Sequence, residues 1–193
     1  MGGRVPRGQA RQRLLSTGAD LFYAHGIHAV SVDNVAERAG VTKRTLYQHF
    51  PSKDALLAAA LDARGKAWRD WFEAELDRRA ATPAGQLLAM FDVIAEESTA
   101  DGYRGCRFVN AAAELPDRRH PARAVASAHK REVLGLITAR VGQLAVADPA
   151  GLARQLKILL EGAITTALVD PGAQAATDAR CAAAILLQAG AFQ

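Results

Sequence analysis

The chain has 193 residues, 50% of them hydrophobic, 23% charged and 6% aromatic, a balance that suits one compact domain or two small ones and excludes disordered and fibrous chains. Its formal charge is +4, yet residues 1–53 hold eight Lys or Arg against three Asp or Glu, and the remainder holds sixteen against seventeen. The positive excess therefore belongs to the N-terminal quarter and points to a polyanion partner there, most simply nucleic acid.

Ala, Leu and Val supply most of the hydrophobic content, and runs such as QLLAMFDVIAEE at residues 86–97 predict an all-α fold. The polar, arginine-rich start MGGRVPRGQARQR has no apolar stretch behind it, and no uncharged apolar run reaches the roughly 18 residues of a membrane span. Cys106 and Cys181 stand 75 positions apart, which gives neither a disulfide framework nor a metal-ligand spacing. The expectation is a soluble, cytoplasmic protein without signal peptide, membrane span or cofactor.

In chain order, the first amphipathic helix runs over residues 9–25, with Leu14, Leu15, Gly18, Leu21 and Phe22 at helical spacing and Gly26 as its stop. Ser31 caps a short second helix over 32–39 that buries Val35 and Ala36 and ends at Gly40. Thr42 caps a third over 43–50, stopped by Pro51, and Ser52 caps a long fourth over 53–79. Two short helices joined by a tight Gly-containing turn form a helix-turn-helix, whose second short helix enters the major groove. Leu46 and Phe50 face the small core with Val35 and Val41, which leaves Lys43, Arg44, Thr45, Tyr47 and Gln48 outward as donors for base edges and phosphates.

The segment VSVDNVAERAGVTKRTLYQHFPSKDALLAAAL, residues 30–61, resembles the DNA-binding domain of the TetR (tetracycline repressor) family. The likeness covers about residues 10–61, and Leu46, Tyr47, His49, Phe50, Ser52 and Lys53 form its most diagnostic stretch. The resemblance implies that Ser31, Thr42, Thr45, Tyr47, His49 and Lys53 contact phosphates and that Lys43 and Arg44 read bases. Many relatives carry Gly where Arg44 stands, so no relative's base preference transfers.

Beyond residue 83, helical patterns cover 84–100, 106–115, 122–146, 149–169 and 173–190, punctuated by Pro83, Pro116, Pro121, Pro149 and Pro171. In GCRFVNAAAELPD, residues 105–117, Cys106, Asn110 and Glu114 share a helix face. Two readings stand side by side: this face borders a ligand cavity, or its polar groups bond neighbouring backbone or an arginine such as Arg107 or Arg118. His129, on a stripe with Val125, Val133, Leu136 and Ile137, is either a satisfied core histidine or a ligand contact. Trp68, Phe72 and Phe91 either wall a cavity or fill the core. The last two helices carry a broad Ala/Leu surface suited to a subunit interface, and the resemblance implies a homodimer through a four-helix bundle.

The expected division is a helix-turn-helix domain over residues 1–53 and a helical ligand-binding and dimerisation domain over 54–193. No Gly-rich phosphate loop, G-x-S-x-G elbow, HExxH or paired Cys/His set is present, which argues against an enzyme and against a bound metal. The expected function is a dimeric regulator of transcription released from a palindromic operator by a small molecule. One rival is an enzyme using Cys106 with Glu114 or His129, and a second is control by a protein partner or by Cys106 redox chemistry.

Overall fold

A computed structural model describes residues 7–190, which form nine α-helices and no strand: α1 (Arg7–His25), α2 (Val32–Arg38), α3 (Lys43–His49), α4 (Lys53–Arg79), α5 (Pro83–Ser98), α6 (Arg107–Glu114), α7 (Pro121–Val141), α8 (Pro149–Val169) and α9 (Gln174–Gly190). The polar segment 1–6 lies outside the described residues. The described residues form two compact units, one comprising residues 7–67 together with Arg107–His129, the other Trp68–Cys106 together with residues 130–190. Helices α4 and α7 contribute residues to both.

In the first unit, α1, α2 and α3 pack against one another. Leu14, Phe22, Val35, Leu46, Phe50 and Leu56 are all buried; burying each such side chain fully contributes about 1.5–3 kcal/mol. Local chemistry sets the helix ends. Ser31 Oγ accepts the Asn34 N–H at 3.1 Å and Thr42 Oγ1 accepts the Thr45 N–H at 3.1 Å, caps that contribute about 1 kcal/mol each. At the far end of α2, Gly40 adopts φ +69°, its N–H bonds Glu37 O and the Val41 N–H bonds Ala36 O, both at 3.0 Å. That pair of bonds needs a left-handed residue, which glycine supplies without a Cβ penalty.

The second unit is built on α5, α8 and α9, which contact one another in all pairs. Phe72, Leu76, Met90, Phe91, Ile137 and Leu156 lie at the centre of its core. A buried arginine braces the polar edge of this unit. Arg140 Nε donates to Gln86 Oε1 at 3.0 Å and Nη1 to Leu136 O at 3.3 Å, with Asp77 at 3.5 Å. Gln86 donates in turn to Asp77 Oδ1 and Ala80 O. This network ties the end of α4 to α5 and α7, and a buried charge persists only where it is paired in this way.

Several helix boundaries differ from expectation by a residue or two, and the end of α7 by five. α7 ends at Val141 rather than 146, although Leu144 and Val146 continue the apolar pattern. They pack against the core from a turn, and Gly142 closes the helix through its N–H to Thr138 O at 2.9 Å. α5 begins one residue early because Thr82 caps it and Pro83 takes the first position, where its missing N–H costs nothing.

Candidate nucleic-acid interface

The three residues 50–52 separate α3 from α4, so the recognition helix and the start of the long helix stay close in space as well as in sequence. Leu46 is fully buried and Phe50 nearly so, with the Arg11 guanidinium 5.6 Å from the Phe50 ring centroid. Those anchors fix the rotation of α3. Lys43, Arg44, Tyr47 and Gln48 are exposed, while Thr45 and His49 are half-buried. The outward face is thus a row of hydrogen-bond donors on a short helix.

Ser31 and Thr42 are both occupied as caps, and the Thr42 and Thr45 hydroxyls lie 2.8 Å apart. Ser52 Oγ accepts the Ala55 N–H at 3.0 Å, capping α4 beside half-buried Lys53. Lys43 Nζ lies 3.0 Å from both carboxylate oxygens of Asp33. A hydrogen bond to Asp33 and then its negative charge raise the Lys43 pKa above the ordinary 10.5, so the ammonium is held charged. Asp33 is the residue missed by sequence reasoning. It stands ten positions from Lys43, across the turn, where no local periodicity marks it.

The residues proposed for ligand contact fall into two groups. Trp68, Phe72 and Phe91 belong to the second unit; Phe72 and Phe91 are fully buried, and Trp68 stacks on Phe72 with centroids 4.5 Å apart while its Nε1–H donates to Glu97 Oε1 at 3.2 Å. Cys106, half-buried in the same unit, interacts with Lys130. Lys130 Nζ in turn lies 2.6 and 2.8 Å from the Glu161 oxygens. Burial works against the Lys130 charge, but Cys106 and Glu161 outweigh it and hold its pKa above the ordinary 10.5.

Asn110, Glu114 and His129 belong to the first unit. His129 is buried and stacks on Phe108, centroids 3.7 Å apart and planes 11° from parallel. Asn110 and Glu114 line a narrow cleft with Phe22, Tyr23, Leu57 and Arg107, where the accessible space is about 20 Å³, room for a water. Glu114 Oε2 accepts the backbone N–H of buried Ile27 at 2.6 Å. The Glu114 carbonyl accepts from His28 Nε2 at 3.0 Å. About two turns further back on α6, Arg107 lies over the Tyr23 ring at 4.0 Å and points Nη1 at Ala19 O, 3.5 Å away. Together these contacts fasten α6 to the end of α1 and to the turn that leads into α2.

Among the described residues, no group of three or more His, Cys, Asp or Glu could hold a metal ion, and no helix is long and apolar enough to cross a membrane.

Residues 14–60 match the family model described as bacterial regulatory proteins, tetR family, and residues 83–183 match the tetracyclin repressor-like C-terminal domain. A TetR-family transcriptional regulator from Streptomyces coelicolor of known structure is 32% identical, with a TM-score of 0.86 over 95% of this chain and 97% of that one. The HTH-type transcriptional regulator YjdC of Escherichia coli K12 is 29% identical over 160 residues, 83% of this chain and 84% of the relative. A cysteine mutant of the TetR family regulator CifR, complexed with 26bp double-strand operator DNA, shares the fold at 22% identity, with a TM-score of 0.75 over 93% of this chain and 95% of that one.

Proposed function

The chain belongs to the TetR family of bacterial regulatory proteins, a DNA-binding regulator of transcription, and from that premise we propose that it works as a homodimer released from a palindromic operator by a small molecule. The observation that carries this reading is the outward row of Lys43, Arg44, Tyr47 and Gln48 on a helix fixed by buried Leu46 and Phe50. We assign phosphate contacts to Ser31, Thr42, Thr45, Tyr47, His49 and Lys53, and base reading to Lys43 and Arg44. Residues 1–53 then serve recognition and residues 54–193 serve control.

Dimerisation is supported by the outer faces of α8 and α9, which expose Ile158, Leu168, Val169 and Ile185; Ile158 is 70% and Ile185 66% exposed. Large apolar side chains concentrated there favour a partner helix pair over water. One short recognition helix offers few base contacts, whereas a twofold dimer reads half-sites roughly 34–36 Å apart.

For the ligand, we assign Trp68, Phe72, Phe91 and Cys106 as recognition residues, with entry requiring the packed aromatic cluster to open. Asn110 and Glu114 then act on the α1–α2 turn, and His129 holds α6 through Phe108. A ligand shifts the operator-bound population only by its differential affinity for the two states. Cys106 is a free, half-buried thiol, which keeps a second reading open, control through thiol oxidation. Iodoacetamide labelling alongside DNA binding separates the two: an inert Cys106 with unchanged affinity under peroxide removes the thiol reading.

The primary test is selection of bound sites from a random DNA pool by the purified full-length protein, paired with sedimentation to read its oligomeric state. An enriched palindrome bound by a dimer is the expected result. A folded protein that enriches nothing at low salt overturns the reading.

A further inference from the structure

We propose that the turn between α6 and α7 is a second DNA-contacting element, with Arg118 and Arg119 reaching phosphates that flank the segment read by α3; this rests on the operator-binding reading above. The turn is short, ordered and attached. Asp117 Oδ1 accepts the Arg119 N–H at 2.9 Å, and Asp117 O accepts the His120 N–H at 3.1 Å. Arg123 closes the preceding helix end by donating to the carbonyls of Ala112 and Leu115 at 2.5 and 2.7 Å.

His120 fixes where this turn sits. Its Nδ1 accepts the Ala122 N–H at 3.1 Å, which leaves the imidazole proton on Nε2. Nε2 faces Asp54 Oδ1 at 3.4 Å, and the His120 side chain is only 13% exposed. Asp54 is the second residue of α4, adjacent to Lys53 and two residues from the Ser52 cap, and only residues 50–52 separate α4 from α3. The turn is thus held beside the end of the helix-turn-helix, although it lies more than sixty residues later in the chain.

Its two arginines point into solvent. Arg118 is exposed, and the Arg119 side chain is 93% exposed, with Asp117 at 3.6 Å. An exposed pair of that kind contributes little and gives way readily to a phosphate. Duplex DNA carries one negative charge per roughly 1.7 Å of axis, so guanidinium groups at this position meet phosphate rather than base edges. The turn adds affinity without reading sequence.

The test measures salt dependence of binding by the full-length protein to the palindrome recovered by selection, once trimmed to the palindrome and once extended by about one helical turn, roughly 10 base pairs, on each side. Wild type should bind the extended duplex with the steeper salt slope. The double substitution Arg118→Ala with Arg119→Ala should lower that slope by about two per bound protomer and remove the advantage of the longer duplex. Arg118→Lys with Arg119→Lys should restore most of it, since a phosphate accepts a point charge. A double alanine variant that keeps the wild-type slope on the extended duplex, while Lys53→Ala in the same series loses about one unit, overturns the proposal and leaves operator binding intact. A wild-type protein that binds neither duplex overturns the reading beneath it.

Discussion

Removing the Glu114 carboxylate tests whether α6 is fastened to the DNA-binding helices as its contacts indicate. Glu114 Oε2 accepts the Ile27 N–H at 2.6 Å, and Ile27 is only 5% exposed. In Glu114→Ala that N–H loses a charged acceptor in a place water reaches poorly. Hydrogen bonds to charged groups contribute about 1.5–3 kcal/mol, and a buried donor left alone costs about 1–3 kcal/mol, so the single substitution should cost about 2–3 kcal/mol. For a protein of this size each kcal/mol moves the melting temperature by roughly 2–4 °C, which gives a fall of roughly 4–12 °C. Glu114→Gln keeps an uncharged acceptor and should lose about half as much, because charge-assisted bonds are roughly twice as strong. The assays are thermal melting and amide hydrogen exchange at Ile27, which should accelerate in Glu114→Ala. Melting within about 1 °C of wild type, with Ile27 exchange unchanged, would refute the attachment of α6 through Glu114.

Gly26 offers a second probe of the same contact. It adopts φ +84° and an added Cβ would stand 3.3 Å from Glu114 Oε2, so Gly26→Ala should cost about 1–2 kcal/mol from the left-handed backbone alone. It should cost less in the Glu114→Ala background than in wild type; equal costs would mean the carboxylate does not crowd the turn. On DNA, Arg44→Ala should relax discrimination at one or two base positions by about 1–3 kcal/mol, and equal loss on every sequence would argue against base reading. Lys53→Ala should weaken all sequences alike and lower the salt slope by about one; an unchanged slope would refute a phosphate contact. In acid, a hydrogen bond from Arg79 lowers the Glu96 pKa below the ordinary 4.5, and one from Arg78 does the same for Glu75. Both carboxylates therefore add stability above 4.5 that is lost as pH falls through their lower folded values. The urea midpoint difference between wild type and Glu96→Gln should shrink well below pH 4.5, and a constant difference would show that the pair does not titrate with folding.

What was legible in the sequence is what local chemistry decides. Ser31, Thr42 and Ser52 cap the expected helices, and Gly40 takes the positive φ that its place after a helix requires. Leu46 and Phe50, four apart, are buried together. Periodicity identifies a shared face without naming what that face meets. Cys106, Asn110 and Glu114 are evenly spaced, yet Cys106 precedes the first turn of α6 and interacts with Lys130, while Glu114 bonds a backbone amide 87 positions away. The Lys43–Asp33 pair was hidden for the same reason: ten positions across a turn is a tertiary distance. Leu144 and Val146 extended the expected α7 because burial produces an apolar pattern whether or not the backbone stays helical.

These attachments also bound how a ligand could act. Glu114 holds α6 at the α1–α2 turn with about 2–3 kcal/mol, and Arg107 over Tyr23 adds about 0.5–2 kcal/mol as a cation–π contact. Moving a two-state equilibrium from 1:99 to 99:1 takes about 5.5 kcal/mol of differential affinity, the same order as releasing α6 from both contacts. Ile27, whose N–H Glu114 accepts, stands four residues before the Ser31 cap of α2. Cys106 directly precedes Arg107, the first residue of α6. On the proposed ligand reading, the effect of a ligand bound at Cys106 on operator affinity should disappear when Glu114 and Arg107 are replaced together by alanine.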